Sequence, residues 1–175
     1  MVKLVSSALV LWVSLVWVAP ARADCSDPPQ PGVDWRRCTM HSRSFVDADL
    51  TGAKLKGGRF TRADFSGSNL SKVDGRRAKF IDALARKSNF ESARLTGADF
   101  TKADLSDASF KNADLYGAQL QGAVLKGADL TGADLESADL ARADLSGARW
   151  VDGKTICAEG SIGQCRLGAT PKAGG

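Results

Sequence analysis

Histidine is nearly absent from this 175-residue chain, His41 being the only one. A hydroxyl or thiol nucleophile would therefore have a single imidazole to serve as its base, and no nucleophile and base are paired by spacing. The four cysteines include no C-x-x-C pair and there is one histidine, so the spacing pattern of a zinc ligand set is missing. The glycine-aspartate nonapeptide of calcium-binding β-rolls is also missing. Aspartates are plentiful, but they recur at a regular step and fit a solvated face better than an acid/base pair. No enzyme, no cofactor and no metal site is expected. Membrane-length hydrophobic runs are lacking too. The longest, LVSSALVLWVSLVWV at residues 4–18, holds three serines and is shorter than the roughly 20 residues a spanning helix needs.

That run follows Lys3 and precedes the small-x-small triplet Ala21, Arg22, Ala23, the tripartite pattern of a secretory signal peptide cleaved near Ala23. A periplasmic or secreted location follows, with no membrane span in the mature chain. The net charge of +4 loses Lys3 and Arg22 on cleavage, so overall basicity says little. In an oxidising compartment the cysteines Cys25, Cys38, Cys157 and Cys165 are expected to form disulfides. Three pairings are open. The local one, Cys25 with Cys38 and Cys157 with Cys165, is preferred because a rod-like fold holds its ends apart.

What the chain has in abundance is a five-residue step. From Trp35 to Trp150 every fifth residue is large and apolar, Leu50, Phe60, Phe80, Leu105 and Leu130 among them, except Gly75 and Ala85. Two residues earlier the chain is small, as in Ala48, Ala53, Gly58 and each alanine from Ala98 to Ala148, with Val73 an exception. A helix turns about 140° over five residues and scatters these positions around its cylinder. A flat strand sends successive ones to opposite faces. A coil that turns a corner once per pentapeptide satisfies the pattern. The small residue and the centre then point inward, the residue between them points outward, and glycine, frequent two residues after the centre, suits the corner.

The run resembles the pentapeptide-repeat family, whose motif is written A(D/N)LXX. The resemblance implies an all-β fold, a right-handed quadrilateral parallel β-helix with four pentapeptides per coil. Twenty-four centres then make about six coils and a rod on the order of 30 Å long. Every twentieth residue falls in one column, so Met40, Phe60, Phe80, Phe100, Leu120 and Leu140 stack inside, as packing rather than as a cofactor slot.

The expected organisation is a signal peptide at 1–23, an N-terminal cap segment at 24–34, the β-helix at 35–150, a C-terminal cap at 151–166 and a disordered tail at 167–175. A solenoid exposes its terminal core unless it is capped. The segments CSDPPQPGVDWRRC and RWVDGKTICAEGSIGQC are read as those caps, held by disulfides. The coil with Gly75 and Ala85, where Leu84 takes an outward position, is expected to bulge or loosen and to present DGRRAKF to a partner or simply to drift.

Charge is unevenly spread. Residues 35–94 carry 14 basic against 6 acidic side chains, and residues 95–154 carry 6 against 10. In the four-sided register Arg36, Lys56 and Arg76 form an outward column, with Arg37 and Arg77 beside it and Lys54, Arg59, Lys79 and Arg94 adjoining. This is the candidate anion-binding patch, weighed against a solvated face interleaved with Asp34 and Asp74. The functional expectation is an exported, non-catalytic scaffold or interaction surface for a protein or an anionic envelope polymer, with homo-oligomers through opposed basic and acidic halves as a variant. Nucleic acid is not an expected partner. Some family members imitate duplex DNA and bind type II topoisomerases, but an export signal and a basic half argue against that alternative.

Overall fold

The computed structural model describes residues 24–167. The signal-peptide assignment at 1–23 and the tail from 168 onward lie outside the described residues.

Residues two before each apolar centre and the centre itself turn inward, and the chain meets itself again twenty residues on. Asp34 pairs in parallel with Lys54, Lys54 with Asp74, Asp74 with Arg94, and the same register holds on all four sides. Each side pairs through one residue per coil, so its ladder is a stack of single bridges. Within it Leu55 donates its backbone N–H to the Asp74 carbonyl at 2.8 Å, and Asp74 donates to the Ala53 carbonyl at 2.9 Å. Counting from residue 33, side 1 carries 33–35, corner 1 carries 36 and 37, side 2 carries 38–40, and so on to corner 4 at 51 and 52.

Every corner is a tight turn. Gly58, for example, donates to the Leu55 carbonyl at 2.9 Å, and Gly57 at the third turn position has φ +67°. A positive φ at that position is what a type II turn demands. Among the described residues fourteen corners nevertheless hold a side chain there, including Arg37 at 60°, Lys87 at 55° and Asp107 at 57°. The left-handed conformation costs an L-residue roughly 1–2 kcal/mol, while glycine adds back roughly 0.5–1 kcal/mol of unfolded-chain entropy. Lys87→Gly is therefore expected to raise stability by about 0.5–1 kcal/mol, read as a higher denaturant midpoint.

The interior is apolar and layered. Phe60, Phe80 and Phe100 stack as the column requires, with centroids 5.3 and 4.9 Å apart. Phe45 on Phe65 and Phe90 on Phe110, both at 4.9 Å, form two more stacks, and edge-to-face contacts such as Phe80 with Phe65 join the columns. These geometries satisfy the ring quadrupoles.

The coil of Gly75 and Ala85 does not bulge. Asp74 and Leu84 keep their bridges to both neighbours, Gly75 donates to Arg94 at 2.8 Å, and Ala85 is buried. The reason is volume compensation. A Cβ on Gly75 would come 2.8 Å from Leu95 Cδ2, so the space a leucine would need is already filled from the next coil.

The ends differ from the expected boundaries. Regular pairing starts before Trp35, since Gly32 donates to Thr51 and Val33 is buried. Arg43 occupies the position that elsewhere holds a small inward residue, yet at the N-terminal end it is exposed. Cys25 is bonded to Cys38, which is buried, and Cys157 to Cys165. At the other end the chain reverses. Ile156 pairs antiparallel with Arg149 and Ile162 with Asp144, and Leu167, assigned from sequence to the tail, pairs with Cys157. This return covers sides 3 and 4, where Leu145 and Ala148 are fully buried, whereas Leu135 and Leu140 on sides 1 and 2 are only partly buried. No helix among the described residues is long and apolar enough to cross a membrane.

Candidate functional site

Corner positions project from the rod, so the residues at 36, 56 and 76 stand one above another at corner 1. Arg36, Lys56 and Arg76 do form that column, with Arg37, Gly57 and Arg77 beside them at the left-handed turn position. Lys54 and Arg94 lie on side 1, in a ladder that alternates with Asp34, Asp74 and Asp114. Arg59 and Lys79 follow each other on side 2, between Thr39 and Asp99.

The patch divides by ion pairing. Arg36 grips Asp34 with both arms, Nε at 2.8 Å and a terminal nitrogen at 2.6 Å. Arg76 holds Asp74 in the same way, at 2.7 Å for each bond, and Arg94 adds a contact to Asp74 at 3.2 Å. A bidentate guanidinium is directional and leaves that arginine less able to take a second anion. Among the described residues, Arg37, Lys54, Lys56, Arg59, Arg77 and Lys79 have no carboxylate within ion-pair distance.

The pairing is mirrored in titration. Asp34 is held below the usual carboxylate range mainly by its hydrogen bond from Arg36. Asp74 is lowered mainly by the bond from Arg76, then by the charge of Arg94, against a burial effect of opposite sign. A lowered folded value means stability that is present above the unfolded carboxylate range and lost as pH falls through the folded values.

Three of the unpaired cations, with the paired Arg36, surround a notch. Arg36, Arg37, Lys56, Gly57 and Arg77 line an open cleft of about 540 Å³. A second, of about 330 Å³, is lined by Lys56, Arg76, Arg77 and Thr96, so the two share Lys56 and Arg77 along the corner. Glycine creates the room. A Cβ on Gly57 would sit 3.8 Å from Arg37 Cγ and one on Gly97 3.7 Å from Arg77 Cγ, so each arginine stem lies over the bare backbone of the next coil. Arg37, Lys56 and Arg77 thus line one cleft with no carboxylate beside them, an arrangement that favours an anion over a neutral ligand.

Sequence reasoning centred the patch on Arg36, Lys56 and Arg76; in the structure Arg36 and Arg76 are paired to Asp34 and Asp74, and of the free cations Arg37, Lys56 and Arg77 line the cleft. It passed over Gly57 and, farther along corner 1, Tyr116, whose side chain is 45% exposed. Continuing the twenty-residue column from Arg36 through Thr96 would have reached that tyrosine. Among the described residues no group of three His, Cys, Asp or Glu side chains is placed to hold a metal ion.

Comparison with known proteins adds the following. A family model described as a pentapeptide repeat region matches residues 43–130, and one described as pentapeptide repeats (8 copies) matches residues 113–149. Among solved structures the chain is similar to HetL, a pentapeptide repeat protein involved in heterocyst differentiation regulation from the cyanobacterium Nostoc sp. strain PCC 7120. They share 30% identity over 71% of this chain and 70% of HetL, with a TM-score of 0.48. The pentapeptide repeat protein Rfr23 from the cyanobacterium Cyanothece 51142 is 36% identical over 46% of this chain and 54% of its own, at a TM-score of 0.45. Full-length QnrB1, a plasmid-mediated fluoroquinolone resistance protein, is 24% identical over 74% of this chain and 84% of its own, at a TM-score of 0.26. No curated protein matches the sequence significantly.

Proposed function

The chain belongs to the pentapeptide-repeat family, and from that premise we propose that it is an exported, non-catalytic rod that binds an anionic partner at corner 1. In this reading about six coils are flanked by disulfide-held end segments, the C-terminal one lying over sides 3 and 4, and the rod works as an interaction surface. The single observation that carries it is the notch at Gly57, where Arg37, Lys56 and Arg77 converge without a carboxylate. The two disulfides suit an oxidising, extracytoplasmic location. The excess of basic residues over 35–94 steers anions toward this half and away from the acidic one. A mimic of duplex DNA would need a rod acidic along its length, and this charge balance runs against it.

The fold supplies its own test. Aspartate already occupies the left-handed corner position at Asp47, Asp82 and Asp107, and asparagine does so at Asn112. Gly57→Asp should therefore fold while setting a carboxylate among the three cations, and Gly57→Asn adds the same bulk without charge. Binding of dextran sulfate, measured by calorimetry at low and high salt, is expected to fall at least tenfold in Gly57→Asp, to change less than threefold in Gly57→Asn, and to weaken as salt rises. Equal losses in both variants, or none in either, would overturn the proposal.

A further inference from the structure

Corner 1 changes character along its length. From the N-terminal end it reads Arg36 and Arg37, Lys56 and Gly57, Arg76 and Arg77, Thr96 and Gly97, Tyr116 and Gly117, then Glu136 and Ser137. The two clefts share Lys56 and Arg77 in their linings, and the second reaches Thr96, one coil before Tyr116. Three coils separate Gly57 from Gly117, a span of ~14 Å at roughly 4.8 Å between neighbouring strands.

Around Tyr116 the sign of the surface is reversed. Asp114 and Asp134 follow each other on side 1, and Glu136 stands one coil beyond the tyrosine. Among the described residues none of the three has an ion-pair partner. Asp114 is held in place by the Thr96 hydroxyl at 2.6 Å and the Tyr116 backbone N–H at 3.1 Å. The corner thus offers cations at one end and, at the other, an exposed aromatic ring with carboxylate acceptors around it.

We infer that the ligand of this corner is an acidic oligosaccharide with sparse charge, its anionic group seated at Gly57 and a neutral sugar ring lying on Tyr116; this rests on the anion-binding reading of the notch. The negative face of the tyrosine ring attracts the polarised C–H face of a sugar, and the carboxylates accept hydrogen bonds from its hydroxyls. A chain charged at every unit fits worse. Its charges would pass the unpaired Asp114, Asp134 and Glu136, and like charges repel there while the notch attracts at the other end. A single-stranded nucleic acid, which also uses stacking and cations, carries a phosphate on each nucleotide and meets the same obstacle.

The test uses the whole protein and three probes: a tetrasaccharide of three glucose units ending in one glucuronate, a tetrasaccharide sulfated on every sugar, and a thymidine tetranucleotide. The glucuronide is expected to bind at least as tightly as the fully sulfated chain despite its smaller charge. Tyr116→Ala should weaken glucuronide binding about tenfold and leave the sulfated chain unchanged, while Tyr116→Phe, which keeps the ring, should bind the glucuronide within twofold of the parent. If Gly57→Asp abolishes binding of the sulfated chain but Tyr116→Ala leaves the glucuronide untouched, the anion site stands and the sugar inference is overturned. If the tetranucleotide binds more tightly than either glycan and is the probe that Tyr116→Ala weakens, the inference is overturned in favour of nucleic acid. Indifference of all three probes to Gly57→Asp removes both readings together.

Discussion

Truncating Phe80 to alanine is expected to lower the stability of the rod by about 3–5 kcal/mol. Phe80 stacks on Phe60 and Phe100 at 5.3 and 4.9 Å and meets Phe65 and Phe90 edge to face at 5.7 and 6.3 Å. Its own coil contains Gly75 and Ala85, so the ring supplies volume that two small inward residues leave out. A closed coil with neighbours above and below has little freedom to collapse onto the vacancy, which places the cost toward the upper end of that range. Gly75→Leu, which would restore the repeat, is expected to destabilise by about 1–3 kcal/mol, because its Cβ alone meets Leu95. The double variant should cost less than the sum of the two, since a leucine at 75 can lean into the space that Phe80 vacates. Chemical denaturation of the three variants measures this, and strict additivity would show that the two sites fill separate spaces.

Opening the Cys157–Cys165 bond by changing both residues to serine is expected to release the end of the rod while most of the coils stay folded. The bond closes a loop with a sequence separation of 8, for which the chain-entropy account gives about 2–3 kcal/mol. The segment it holds accepts hydrogen bonds from Leu145, Gly147 and Trp150 through the carbonyls of Ser161, Cys157 and Thr155, at 2.8–2.9 Å. In a solenoid each coil contacts only its neighbours, so the loss stays local. Amide exchange at Leu145, Gly147 and Trp150 should quicken on the order of a hundredfold, while amides in the Phe80 coil stay protected. With sides 3 and 4 of the last coil uncovered, their edge and the otherwise buried Leu145 and Ala148 extend the partly buried Leu135 and Leu140 into a surface for association, so the variant should also sediment as larger species at high concentration. Equal acceleration in both regions would mean that the rod unfolds as one unit.

Much of the site's chemistry was hidden in the linear sequence for a definite reason. Charge is visible in a sequence, but neutralisation depends on which side chains meet. Arg36 reaches Asp34 and Arg76 reaches Asp74 because a side residue and the first residue of the next corner lie on the same rim, and Arg94 reaches Asp74 because one coil separates them. Gly57 looked like any other corner glycine until Arg37, Lys56 and Arg77 were placed around it.

The path of the backbone was legible in the order of the residues. A five-residue step of large and small inward residues is compatible with a coil that turns at every fifth residue and with neither ordinary helix nor flat strand, and the interior column Phe60, Phe80, Phe100 follows once the twenty-residue register is assumed. The tertiary structure alone decided three things. It decided that the Gly75 coil is regular, because the filling comes from Leu95 and Phe80 in three dimensions. It decided that the C-terminal return covers only two of the four sides, because bridges at Asp144 and Arg149 fix where it lies. And it decided which cations are free, because ion pairing is a matter of distances of a few ångströms that no one-dimensional pattern records.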